Sequence, residues 1–154
     1  MKEIIITLLI SMSIFAQKNE KPNSTQVRTE IWLKQFKEIQ SDSEKITMIK
    51  EKIHSDTLFS NNKNRIILDN PRNPEKHICK ILFIINFENN YYDIDLLETP
   101  KLSKIMNNIN LKNITSIEIP TNHENVNYFG ELGRCGVIKM TCNKKLYRKL
   151  KRVF

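Results

Sequence analysis

All three glycines of this 154-residue chain lie in one window, Gly130-Glu-Leu-Gly133-Arg-Cys-Gly136. Glycine adopts positive φ without strain, so the chain concentrates its least restricted backbone at a single place. The run Val137-Ile-Lys-Met-Thr-Cys142 follows directly, and its alternation of apolar and polar residues predicts a strand. We therefore expect this glycine loop to be a turn that leads into a strand and to determine the local geometry of the fold.

The spacing of the glycines does not match a nucleotide-binding loop. Those loops read G-x-G-x-x-G or G-x-x-x-x-G-K-[ST] and lead from a strand into a helix. Here the spacing is G-x-x-G-x-x-G and a strand follows, so no helix N-terminus is offered to a phosphate. The pattern favours a structural turn, and no cofactor is predicted. The alternative is a contact surface, since binding residues are common on loops of rigid scaffolds.

The first sixteen residues have the features of a secretory signal peptide. Residues 1–16 combine a charged start, an apolar core and a small residue, Ala16, at the exit. The apolar stretch is shorter than the ~20 residues that a membrane-spanning helix needs. A buried first helix or strand is the alternative. We expect an exported chain whose remaining residues are enough for one domain with its own core.

The next part of the chain predicts a helical hairpin. Apolar residues at helical spacing predict helices over residues 25–40 and from 44 to about 53. Between them, Ser41 and Glu44 match a capping box. A strand candidate at residues 65–68 and a turn-rich segment at residues 70–74 follow, and this turn separates the helical part from a mixed part.

The second half predicts a small sheet. The nearly continuous apolar run at residues 79–87 indicates a central strand, and residues 114–119 and 137–142 alternate as strands do. Pro100 can begin a helix that covers one face, whereas residues 121–129 look like a polar loop. The predicted fold is α+β: an N-terminal helical hairpin followed by a small mixed β-sheet with a covering helix. The predicted boundaries are a signal peptide (1–16), a helical region (17–63), an α+β domain (64–145) and a basic tail (146–154).

Most of the net charge of +8 comes from residues 143–154. Six cations occur there without any acid: Lys144, Lys145, Arg148, Lys149, Lys151 and Arg152. Such a cluster suits anionic lipid headgroups, lipopolysaccharide or nucleic acid, and nucleic acid is the least favoured of these for an exported chain. The alternative is a solvated tail that only aids solubility.

The three cysteines, Cys79, Cys135 and Cys142, lack the C-x₂₋₄-C spacing of a zinc site, and the histidines form no cluster. No metal site is predicted. In an oxidising compartment one disulfide is expected. We favour Cys79 with Cys142, because antiparallel pairing of the central and last strands would bring these two ends together. Cys135 would then be the unpaired thiol.

No catalytic residue is predicted. The acidic residues Asp93, Asp95 and Glu98, and the pair Cys135 and His123, are candidates only by residue type, since none lies in a recognisable motif. A cation at position 134 would favour a thiolate at Cys135, but a disulfide or simple burial is the favoured interpretation.

Residues 80–145 resemble a known family. The pattern consists of Asn110-Leu-Lys-Asn-Ile-Thr-Ser-Ile-Glu-Ile119, a polar stretch, and Tyr128-Phe-Gly130-x-x-Gly133-x-x-Gly136-Val-Ile-Lys-Met-Thr141. It resembles the plug domain of TonB-dependent outer-membrane receptors of Bacteroidetes type. The matching landmarks are Ile114, Ser116, Ile117, Gly133, Gly136, Val137, Ile138 and Thr141. Pro120 departs from the family pattern and ends the strand early. We expect a free-standing plug-like domain without a barrel.

In those receptors the plug domain is not an enzyme, and it occludes a barrel and responds to a ligand and to the energising partner. The resemblance implies a non-enzymatic interaction module in the periplasm or at the periplasmic face of the outer membrane. It implies an outer-membrane barrel or TonB-type protein as partner, with Gly130, Gly133 and Gly136 as determinants of the fold. The alternative function is a basic periplasmic adaptor that binds anionic envelope surfaces through its C-terminal tail.

Overall fold

The computed structural model describes residues 24–59 and 79–154. The predicted signal peptide and the segment from 65 to 74 lie outside the described residues. The helices are α1 (Ser24–Glu38), α2 (Asp42–Asp56), α3 (Asn122–Phe129) and α4 (Lys144–Leu150). The strands are β1 (Leu82–Phe87), β2 (Asn90–Asp93), β3 (Ile114–Glu118) and β4 (Val137–Cys142). Short 3₁₀ helices span Thr57–Phe59, Pro100–Asn108 and Gly130–Gly133.

The predicted α+β class is confirmed, with one mixed four-stranded sheet of order β2-β1-β4-β3. The two central strands, β1 and β4, are parallel, and each edge strand is antiparallel to its neighbour. The central position of β1 follows from its apolar sequence, because such a strand is buried on both faces. The strand β2 lies at the edge of the sheet beside β1.

The helical hairpin and the sheet share one hydrophobic core, so the expected boundary at residue 63 does not divide the core. Phe36 of α1 and Ile49 of α2 belong to the same buried cluster as Ile85 of β1. The Trp32 ring stacks on Phe36 at 5.0 Å between ring centroids. The predicted covering helix is present as the 3₁₀ helix Pro100–Asn108, which contributes buried apolar residues to the cluster.

The expected basic tail is not a free tail. Its first residues, 146–150, belong to α4, and the side chains of Leu146 and Leu150 are fully buried in the common core. Both leucines contribute to the domain core and hold the helix against it.

The expected disulfide between Cys79 and Cys142 is wrong: Cys79 is bonded to Cys135, and Cys142 is a buried free thiol. The reason is the direction of the central strands. Because β1 and β4 are parallel, Leu82 lies opposite Val137 and the two strands begin side by side. The residues that precede the strands, Cys79 and Cys135, therefore meet, whereas Cys142 lies at the other end of β4.

The N-termini of two helices differ from the sequence prediction. Residues 121–129 were expected to be a polar loop, but a capping box begins α3: the Thr121 amide donates to Glu124 Oε2 at 2.8 Å and the Glu124 amide donates to Thr121 Oγ1 at 3.3 Å. By contrast, α2 begins at Asp42, directly after Ser41, but the Ser41 side chain makes no capping hydrogen bond.

Within residues 24–59 and 79–154, no helix combines the length and the apolar character needed to cross a bilayer.

Candidate functional site

The helix that carries the predicted basic cluster is held rigidly in the fold. The Asn143 side chain caps α4 by accepting a hydrogen bond from the Leu146 amide at 3.0 Å. Its amide nitrogen donates to the Lys112 carbonyl at 2.8 Å. One turn along, the Tyr147 ring stacks on Phe87 with 4.6 Å between ring centroids. Together with the buried leucines, these contacts determine which face of α4 points to solvent.

The six predicted cations of this segment fall into two groups. Five of them are exposed, and their side chains form no ion pair or hydrogen bond within the described parts of the chain: Lys144, Lys145, Arg148, Lys151 and Arg152. The sixth, Lys149, is half-buried and donates to Asn108 Oδ1 at 2.5 Å. Lys149 therefore ties α4 to the 3₁₀ helix Pro100–Asn108, and the other five form what we call the basic face.

Part of the basic face lies where cations destabilise a helix. The first turn of α4 contains no acid, and Lys144 and Lys145 lie there at the positive end of the helix dipole, where cations are unfavourable. Lys144 and Arg148 are four residues apart, and a like-charge pair at this spacing destabilises a helix by about 0.2–0.5 kcal/mol. A bound anionic surface would relieve this repulsion.

An exposed aromatic side chain lies close to the basic face. Phe154 packs on Tyr92 with 5.0 Å between ring centroids, yet more than half of it is open to solvent. Tyr92 also contacts Tyr147 of α4, at 6.2 Å. Cations beside an exposed aromatic ring are a combination that suits contact with a membrane interface.

The glycine loop has a structural role at two of its three positions. Gly130 has φ +57° and Gly136 has φ +115°, both in the region that favours glycine. The Gly136 amide donates to the Gly133 carbonyl at 3.0 Å, and the Gly136 carbonyl accepts from the Leu82 amide at 3.0 Å. The loop therefore begins the parallel pairing of β1 with β4.

Two exposed apolar side chains flank the glycine loop. Tyr128, just before the loop, is 80% exposed, and Leu132, within the loop, is 74% exposed. Sequence reasoning did not identify this pair, because the apolar residue types alone predict burial. Their exposure gives the surface near the loop an apolar character.

The acidic candidates Asp93 and Asp95 lie close enough to influence each other. Asp95 accepts hydrogen bonds from Lys80 Nζ at 2.5 Å and from the Leu97 amide at 2.8 Å. Burial disfavours its charge, but these hydrogen bonds outweigh burial and keep the pKa of Asp95 below its ordinary value. Partial burial, followed by repulsion from Asp95, raises the pKa of Asp93 to about 6, although the residue remains partly open to solvent.

The two other candidates for catalysis were Cys135 and His123. Cys135 is in the disulfide and so offers no thiolate. The side chain of His123 lies outside what the structure describes. Among the described residues, no group of three or more His, Cys, Asp or Glu side chains could hold a metal ion.

No protein-family model matches the chain, and neither the curated proteins nor the solved structures include a match. The resemblance to a plug domain therefore stays a prediction. Function has to be inferred from the site itself, because a fold does not imply a function.

Proposed function

We propose that this protein is a non-enzymatic, exported binding module that attaches peripherally to an anionic lipid surface of the cell envelope through the basic face of α4. The observation that carries the proposal is a group of five exposed cations, without partners among the described residues, on α4 and on the turn that follows it. The opposite face of α4 is fixed in the core, so these cations are presented together on one side of the domain. A flexible solvated tail would not hold them in this arrangement.

The expected interaction is electrostatic and reversible. Each Lys or Arg close to an anionic membrane contributes about 1 kcal/mol. Leu146 and Leu150 are buried in the core, so α4 cannot turn its apolar side toward lipid as a free amphipathic helix does. Binding should weaken as salt rises, because the Debye length falls from about 30 Å at 0.01 M to about 10 Å at 0.1 M ionic strength.

Neutralising the basic face is expected to abolish most vesicle binding. The variant Lys144→Gln/Lys145→Gln/Arg148→Gln/Lys151→Gln removes four cations, and at about 1 kcal/mol each the affinity for vesicles rich in phosphatidylglycerol should fall roughly 100-fold or more. Co-sedimentation with these vesicles at low salt measures the effect. Vesicles of phosphatidylcholine alone should not bind the unaltered protein.

A matched control separates the effect of the position of the cations on vesicle affinity from the effect of the total charge. Lys34, Lys37, Lys101 and Lys104 are exposed lysines of α1 and of the 3₁₀ helix Pro100–Asn108. Changing these four to glutamine lowers the net charge by the same amount and should reduce vesicle affinity less than about tenfold, since they are not on α4. An equal loss in both variants would show that net charge alone drives binding, and the basic face would not be the site.

A second candidate function is favoured by the exposed pair Tyr128 and Leu132 beside the glycine loop. We propose as the alternative that this surface binds an envelope protein, such as an outer-membrane barrel or a TonB-type protein, in agreement with the plug-like resemblance. Aromatic and apolar side chains of this kind commonly form the centre of a protein interface.

The two candidates predict different responses to salt. If the apolar pair binds a protein, a partner from an envelope extract should be retained at high salt and lost from the Tyr128→Ser/Leu132→Ser variant, because apolar contacts are little screened by ions. The variant with the neutralised basic face is the control and should still retain that partner. Retention only at low salt, or by the Tyr128→Ser/Leu132→Ser variant, would contradict this alternative.

A further inference from the structure

A groove runs between α2 and the turn that precedes β3. Its volume is about 410 Å³, within the range of small-ligand sites. The groove is lined by apolar and polar side chains but by no acid: Ser43, Ile46, Thr47, Lys50, Ile109, Asn110, Leu111 and Lys112. All of these residues belong to the described part of the chain.

The helical wall of the groove is one face of α2. Ser43, Ile46, Thr47 and Lys50 follow the i, i+3, i+4, i+7 spacing that places side chains on one side of a helix. Ile46 is buried, and so is Ile109 on the opposite wall, so these two form an apolar floor.

The opposite wall is a turn that its own hydrogen bonds hold in place. The Lys112 amide donates to Asn110 Oδ1 at 3.1 Å, and Asn110 Nδ2 donates to the Asn107 carbonyl at 2.9 Å. The Asn113 amide donates to the Asn110 carbonyl at 2.9 Å. This turn holds Leu111 at the rim with 56% of its surface exposed. The groove is therefore formed before any ligand binds.

Some polar side chains of the groove form hydrogen bonds within the protein, and others form none with the described residues. Asn110 uses both ends of its side chain in the turn, and the Thr47 hydroxyl donates to the Ser43 carbonyl at 3.0 Å. The side chains of Ser43, Lys50 and Lys112 have no hydrogen bond or ion pair within residues 24–59 and 79–154. Two ammonium groups and a hydroxyl, without partners among these residues, therefore lie around the apolar floor.

We propose that this groove binds a small amphipathic anion, a carboxylate carried on a short apolar chain. The carboxylate would accept charge-assisted hydrogen bonds from Lys50 and Lys112, and the chain would lie over Ile46, Ile109 and Leu111. This site is separate from the basic face, since none of the exposed α4 cations lines it. It adds a soluble ligand to the lipid surface proposed above and does not depend on that proposal.

Octanoate is the probe that tests the proposal. In a titration followed by backbone amide NMR shifts, octanoate should give saturable shifts concentrated at Ser43, Asn110, Leu111 and Lys112. Acetate lacks the chain and octanol lacks the charge, so each should bind at least about tenfold more weakly. Acetate or octanol binding as tightly as octanoate would overturn the proposal, as would octanoate shifts spread evenly over the surface.

Single substitutions locate the site. Lys50→Gln and Lys112→Gln should each weaken octanoate binding about three- to tenfold, and Leu111→Asp, which places an acid at the rim, should remove it. These residues are exposed or half-buried, and a dispersed amide spectrum confirms that each variant folds.

Two controls separate this site from general charge and from the basic face. Lys34→Gln should leave octanoate affinity unchanged, and so should the α4 variant that loses vesicle binding. If Lys34→Gln weakens binding as much as Lys112→Gln, or if the α4 variant loses octanoate and vesicles together, the groove is not a separate site.

Discussion

Replacing Gly136 with valine is expected to lower the free energy of unfolding by about 2–5 kcal/mol, from backbone strain and overcrowding together. The strain arises because Gly136 has φ +115°, which residues with a side chain rarely adopt. Overcrowding adds to this strain, because a Cβ at this position would lie 2.6 Å from Leu33 Cδ1, the end of an α1 side chain that would have to shift. Urea denaturation followed by tryptophan fluorescence measures the loss.

Two further variants separate the strain from the clash. Gly130 also has positive φ, +57°, but no atom lies within 4 Å of where its Cβ would be, so Gly130→Ala should cost only about 1–2 kcal/mol. Adding Leu33→Ala to Gly136→Val should remove the clash but not the strain. Unchanged stability in Gly136→Val would show that the loop does not determine the fold.

Removing the disulfide is expected to destabilise the protein by a similar amount. The bond joins residues 56 positions apart, and closing a loop of that length in the unfolded chain corresponds to about 4 kcal/mol by chain entropy. Changing both Cys79 and Cys135 to alanine should therefore shift the urea midpoint strongly downward. Reducing the unaltered protein should produce the same shift.

The third cysteine supplies the control for this prediction. Cys142→Ala leaves the observed bond intact, so this variant should keep its sensitivity to reduction. Peptide mapping without reduction should show Cys79 joined to Cys135. A peptide that joins Cys79 to Cys142, or loss of reduction sensitivity in Cys142→Ala, would contradict the parallel arrangement of the central strands.

The sequence predicted the position of most elements but not how the strands pair. Apolar periodicity located β1, β3 and β4 correctly, because burial requires the same residue pattern in every sheet. That pattern is the same for parallel and antiparallel neighbours, so it could not decide the direction of β4 relative to β1. The wrong choice of Cys142 as the partner of Cys79 follows from this ambiguity alone.

The sequence was enough to predict some parts of the candidate sites and not others. The six cations were evident, but Lys149 differs from the others only because it bonds to Asn108, a residue distant in the sequence. The capping box at Thr121 and Glu124 could have predicted α3, but the polar composition around it favoured a loop. The groove joins α2 to the turn around Asn110, so no local pattern could have revealed it.

The parallel pairing of β1 with β4 has a consequence for how the chain folds during synthesis. The hairpin with β2 pairs only one edge of β1, and the other edge stays open until β4 has been made. Contacts between residues so far apart in sequence give a high contact order and slow folding. The nascent chain therefore carries an apolar strand with an unpaired edge from the synthesis of β1 until that of β4, a condition that promotes aggregation. We expect the unfinished chain to depend on chaperones that hold it unfolded, which is also the state that a secretion channel requires.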